Sequence, residues 1–207
     1  MKLFLTSQAS LTVDKLIPLL DKDPREFKVS FITTAANPYS DKPWMEADRK
    51  KLVELGFAVI DLDLNGQTQH TLSDALRGID IVFVAGGNTF YLLEKARESG
   101  FDILINKLVH EGIWYVGSSA GSVIAGPDIE PVAIFDDPKQ ANLKTTKGFN
   151  LVNFVVLPHF GKQKYGASHK HIVKRYGSSY TLVPLKDTQA LFIHDEQYQF
   201  IDSADIL

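Results

Sequence analysis

Two periods alternate along this chain. Short apolar runs at 3–6, 29–34, 57–64, 79–85 and 155–159 read as strands. Between them, apolar residues recur every three or four positions. Val13, Leu16, Ile17 and Leu20 form one such face, and Trp44, Ala47, Leu52 and Leu55 another, with Gly56 as a stop. Further helices are predicted at 71–77, from 89 through Ala96, at 103–110 and at 169–176. The 57–64 run interleaves Asp61 and Asp63, which suits an edge strand, whereas 79–85 is apolar throughout, which suits a strand buried on both faces. The pattern loosens after residue 121, and 191–193 with 198–201 reads as a closing hairpin. Repeated strand-then-helix with short connections predicts an α/β fold, a mostly parallel sheet with helices on both faces. Ligands in such sheets bind beyond the carboxyl ends of the strands.

Composition bounds the picture without changing it. The 207 residues suit one domain over 1–207, with no linker or repeat to split it. A net charge of −3 gives no reason to expect nucleic acid or an anionic membrane as partner. No apolar run approaches a bilayer span, and the start lacks a signal-peptide pattern, so the expectation is a cytoplasmic protein, monomer or homodimer. The absence of cysteine excludes disulfides, thiolate catalysis and cysteine-bound metal.

The chemistry concentrates in one stretch. The strand at 113–117 runs into Gly117-Ser118-Ser119-Ala120-Gly121, a G-x-S-x-G turn with a helix start behind it. This is how α/β hydrolases expose a serine hydroxyl, and the small flanking residues let the chain turn sharply. A serine needs a base. Among six histidines, His159 is the candidate, because it ends the 155–157 run on the same rim as Ser119. His70 and His110 read as surface or helix-end residues, and His169 and His171, two apart, make a poor metal pair; no metal is expected. The acid that orients the base is open between Asp195 or Glu196, after the 191–193 strand, and Asp136 or Asp137, between serine and histidine. The N–H groups of Ala120 and Gly87 are candidates for an oxyanion hole.

Three segments together resemble peptidase family S51, the group of dipeptidase E and cyanophycinase. They are Gly86-Gly87-Asn88-Thr89, Gly117-Ser118-Ser119-Ala120-Gly121-Ser122 and Leu157-Pro158-His159-Phe160, in the family's order along essentially the whole chain. The resemblance implies a flavodoxin-like three-layer sandwich related to class I glutamine amidotransferases. It also implies hydrolysis of small peptides without a cofactor, with Ser119 as nucleophile, His159 as base and Asp195 as acid, Glu196 being the neighbouring alternative. Aspartyl dipeptidases of the family use an arginine some dozen residues after the histidine. Here 166–171 reads Gly-Ala-Ser-His-Lys-His, so aspartyl specificity is not implied. Two rival readings are a non-catalytic binding protein on the same scaffold and a small esterase using Asp136 or Asp137.

Overall fold

A computed structural model of the chain describes residues 1–202. Its centre is a seven-stranded sheet. The strands are β1 (Lys2–Thr6), β2 (Lys28–Ile32), β3 (Ala58–Leu62), β4 (Ile81–Val84), β5 (Trp114–Ser118), β8 (Gln189–His194) and β9 (Gln197–Asp202). Across the sheet the order is β3-β2-β4-β5-β1-β8-β9; the first five are parallel, β8 pairs antiparallel with β1, and β9 pairs antiparallel with β8. The fold is therefore α/β with a mostly parallel sheet.

Alternation along each strand divides the core in two. Leu3 and Leu5 of β1, Val82 and Val84 of β4 and Tyr115 of β5 pack into one apolar layer. Phe4, Ile81, Phe83, Trp114 and Val116 pack into the other, where Phe31 stacks on Phe83 with centroids 4.9 Å apart. The helices that cover the sheet include α1 (Pro43–Glu54), α2 (Gln69–Ala75), α3 (Thr89–Ser99) and α4 (Phe101–His110). As its aspartates suggest, β3 is an edge strand, with Ile60 exposed.

Two departures from the sequence pattern matter. The 11–20 segment is not an α-helix but two 3₁₀ turns, Ala9–Leu11 and Val13–Leu19. Pro18 lies inside the second, and it lacks the N–H that an α-helical ladder requires there. Second, the 155–159 run does not join the main sheet. Its strand β6 (Val155–Leu157) pairs in parallel with β7 (Leu182–Pro184), which the sequence pattern leaves unread, and α6 (Gly166–Tyr176) lies between them in the chain. Val155, Leu157 and Ile172 form a small core of their own there.

The consequence is positional. The central strands β4, β5 and β1 are neighbours, with Val84 opposite Gly117 and Ser118 opposite Thr6. The residues just past their carboxyl ends, Gly86–Gly87, Ser119 and Ser7, therefore lie side by side. The small sheet presents its own carboxyl ends, and hence His159 and the 185–188 turn, to the same place.

Candidate active site

Ser119 sits between β5 and α5, the single helical turn Ala120–Val123. Its backbone has φ 50° and ψ −107°, a conformation L-residues avoid, at a cost of roughly 1–3 kcal/mol. The surrounding structure over-determines it. The Ser119 N–H donates to Thr6 O at 3.0 Å, and its carbonyl accepts from the Ser122 and Val123 N–H groups at 2.8 and 3.0 Å. The buried Ser122 hydroxyl reaches Thr6 O and Gly117 O, and Tyr115 OH donates to Gly121 O at 2.6 Å. Gly121 is required sterically: a Cβ there would lie 2.0 Å from Val84 O. Gly121→Ala is expected to destabilise the protein by at least about 3 kcal/mol, lowering Tm by roughly 6–12 °C in a thermal melt.

His159, also at positive φ, turns its ring onto Ser119. Nε2 lies 3.1 Å from Ser119 Oγ, and Nδ1 lies 2.7 Å from Oδ1 of Asp187. An ionised carboxylate only accepts, so Nδ1 carries the hydrogen and the Nε2 lone pair faces the serine hydroxyl. The parallel pair β6–β7 accounts for this meeting. His159 lies two residues past β6 and Asp187 three past β7, and the Phe160 N–H to Leu185 O bond (2.9 Å) ties the two exits together. Ser7 joins them to the main sheet. Its hydroxyl accepts the His159 N–H at 2.6 Å and donates to Asp187 Oδ1 at 2.7 Å. The Lys162 ammonium pairs with Asp187 Oδ2. Burial alone would push the Asp187 pKa up, but hydrogen bonds from His159, Lys162 and Ser7 outweigh it and hold the carboxyl well below the usual carboxylate range.

Asp195 lies elsewhere, and this corrects the expected acid. It is exposed, and its carboxylate pairs with the Met1 ammonium at 2.6 Å. The physical reason is strand direction. Because β8 runs antiparallel to β1, its end at His194 lies opposite Lys2, while its start, at Ala190, lies opposite Thr6 beside Ser7. The acid at the base therefore precedes β8 instead of following it. Glu196 shares the distal turn and is exposed. Asp137 is spent on a turn, accepting from the Lys139 N–H at 3.0 Å. Asp136 accepts from the N–H and hydroxyl of Thr89 and does not bond to His159. The sequence pattern does not single out Ser7 or Asp187, and it reads Lys162, with Lys164, as part of a solvated loop. For Asp187 a signal existed in the apolar run 181–185, which ends in a polar turn.

A cavity of about 470 Å³ opens over the serine, lined among others by Ser119, Ala120, Gly86, Gly87 and His159. Gly87 has φ 150°, and a Cβ there would lie 2.0 Å from Ala35 O, so only glycine lets this turn pass so close to its neighbour. Neither the Gly87 nor the Ala120 N–H donates to an acceptor among the described residues. Asn88 caps α3 by accepting the Tyr91 N–H at 2.9 Å. The other histidines stand apart: His169 is buried against Pro158 O, His171 is exposed, and the His110 ring contacts Asn106 O. No group of three metal-ligating side chains occurs among the described residues.

Asp48 of α1 also lines the cavity, is 2% exposed and accepts the Ser10 N–H at 2.7 Å. Burial raises its pKa from 3.8 to about 6, against the pull of its serine neighbours. A carboxylate held above its unfolded value costs stability wherever it is ionised. The cost is complete above pH 6 and vanishes as pH falls below 4, and it amounts to about 3 kcal/mol. Asp48→Asn is therefore expected to melt higher than the wild type at pH 8, with the gap closing toward pH 4 in parallel thermal melts.

A serine hydroxyl hydrogen-bonded to an imidazole, itself held by a carboxylate, beside two unpaired backbone N–H groups, is the equipment of acyl transfer. The comparisons agree with that class. The model of peptidase family S51 matches residues 3–201, and the chain belongs to this family. An uncharacterised peptidase of Listeria innocua is 33% identical over 199 residues, covering 94% of this chain and 93% of that protein. A peptidase E of a Shewanella strain is 32% identical over 116 residues, 54% of this chain and 47% of its own length. The crystal structure of a Listeria monocytogenes protein described as a peptidase E candidate superposes with a TM-score of 0.90 at 32% identity, covering 97% and 98% of the two chains. The protein is thus a serine peptidase. Among the described residues no helix is long and apolar enough to cross a membrane.

Proposed function

We propose that the protein hydrolyses small peptides through a Ser119–His159–Asp187 triad, in one peptidase domain and without a cofactor. The observation that carries this reading is the continuous chain of contacts, 3.1 Å from Ser119 Oγ to Nε2 and 2.7 Å from Nδ1 to Asp187. Ser119 Oγ attacks the scissile carbonyl carbon while His159 Nε2 takes its proton. The negative charge that develops on the carbonyl oxygen is held by the Gly87 and Ala120 N–H groups. When the C–N bond breaks, His159 returns the proton to the leaving amine. Water then attacks the acyl-enzyme by the same route and frees Ser119. Asp187 keeps the imidazole in the required tautomer and stabilises the imidazolium, and its depressed pKa keeps it ionised throughout the working range.

The volume of the cavity, about 470 Å³, favours short peptides over folded chains. A panel of dipeptides and tripeptides tests this, with released amino acids read by mass spectrometry. The expected result is release by the wild type and none by Ser119→Ala. Release that persists in Ser119→Ala contradicts the mechanism.

A further inference from the structure

Ser119 follows a strand of the seven-stranded sheet, and His159 follows a strand of the two-stranded one. Their 3.1 Å contact therefore needs something at the site that holds the two sheets in register. The Thr6–Ser7 dipeptide at the end of β1 does so. Thr6 O accepts the Ser119 N–H at 3.0 Å, which ties the nucleophile turn to β1. The next residue, Ser7, holds the other half of the site. Its Oγ accepts the His159 N–H at 2.6 Å and donates to Asp187 Oδ1 at 2.7 Å. Two consecutive residues thus carry Ser119 on one hand and His159 with Asp187 on the other.

The same hydroxyl decides where hydrogens sit. An ionised carboxylate only accepts, so the single Ser7 hydrogen goes to Asp187. Oγ also lies 3.4 Å from His159 Nδ1, and with its hydrogen committed it presents only a lone pair there. Both oxygens in front of Nδ1, Asp187 Oδ1 and Ser7 Oγ, then favour a hydrogen on Nδ1, the tautomer that leaves the Nε2 lone pair for Ser119. The backbone of His159, at φ 60°, is a conformation that persists only when its surroundings hold it. Among the described residues the acceptor of its N–H is Ser7 Oγ. Ser7 is fully buried, so no solvent stands ready to replace its hydroxyl. Removing it strands an N–H and takes a donor from a charged carboxylate.

Resting on the Ser119–His159–Asp187 reading, we propose that Ser7 is a positioning residue of the reaction, which sets both the tautomer of His159 and its distance from Ser119. Ser7 acts through His159 and Asp187 and does not itself meet the substrate. Its loss therefore lowers kcat and spares KM, and it matters little once Asp187 no longer orients the ring.

The test uses two substitutions. Ser7→Ala removes both hydrogen bonds, and Ser7→Cys keeps a side chain of similar shape whose thiol is a weak donor and acceptor, which separates hydrogen bonding from packing. For each, alone and combined with Asp187→Asn, kcat and KM on the best dipeptide of the panel, the rate of fluorophosphonate labelling at Ser119 and Tm are measured. Both single variants are expected to lose about 10–100-fold in kcat, with KM within about twofold of the wild type and labelling slowed by the same factor as kcat. In the Asp187→Asn background either substitution is expected to cost less than about threefold more. A Ser7→Cys kcat within about threefold of the wild type, a loss carried by KM, or the full factor lost again in the Asp187→Asn background overturns the proposal. If Ser7→Ala fails to fold, the Ser7→Cys results decide alone. An Asp187→Asn variant as active as the wild type instead strikes the triad reading, and this proposal with it.

Discussion

Ser119→Ala lowers kcat by roughly 10⁵–10⁶-fold, with Tm close to that of the wild type. The size follows from how the group works. Oγ is the only atom that forms the covalent intermediate, so without it the imidazole and the N–H pair can act only on water. Residual catalysis of the kind left in other serine peptidases, roughly 10³–10⁴ over the uncatalysed reaction, comes from binding and the oxyanion site. Folding is spared because, among the described residues, Ser119 Oγ hydrogen-bonds only to His159, whereas the hydrogen bonds that fix the turn come from backbone, Ser122 and Tyr115. His159→Ala falls to a similar level, and the double variant falls little further, because the two residues act as one unit. Steady-state rates on the best dipeptide of the panel check all three.

Asp187→Asn lowers kcat by about 10⁴-fold, while Asp195→Asn, Glu196→Gln and Asp137→Asn stay within a few-fold of the wild type. An amide at 187 can present its NH₂ to Nδ1. The ring then holds its hydrogen on Nε2, and the base faces Ser119 with a donor instead of a lone pair. The contrast with Asp195 separates the acid of the site from the acid that the sequence favours. Asp195→Asn loses its contact with the Met1 ammonium, an exposed pair whose removal changes stability little. The third reading of the sequence, an esterase relying on Asp136 or Asp137, requires the reverse order of effects.

The sheet was legible because period carries it. The buried run at 79–85, the aspartate-studded edge at 57–64 and the turn at 117–121 each announce a strand or a strand exit by side-chain spacing alone. Ser119 and His159 were legible for the same reason: each follows an apolar run and so falls at a carboxyl end. Asp187 was not, and two physical facts hid it. Pro184 makes 182–184 look unlike a strand, yet an edge strand of a two-stranded sheet tolerates a proline because that N–H has no ladder partner to serve. The closing hairpin also reverses direction, so the conspicuous acids after β8 are carried to the far end of the sheet. A one-dimensional pattern marks where strands end but not which way they run. Ser7 was hidden differently. A serine after a short first strand has no distinguishing neighbour, and its place is fixed only by β1 lying between β5 and β8.

The central claim is that Ser119 is a nucleophile activated by His159, and covalent labelling reads it without knowledge of the substrate. A fluorophosphonate probe is incubated with wild type and His159→Ala, and the modified residue is mapped by peptide mass spectrometry. The account predicts one stoichiometric adduct on Ser119 in the wild type and labelling slowed by at least about 100-fold in His159→Ala. An unlabelled wild type, or an adduct on any other residue, contradicts it.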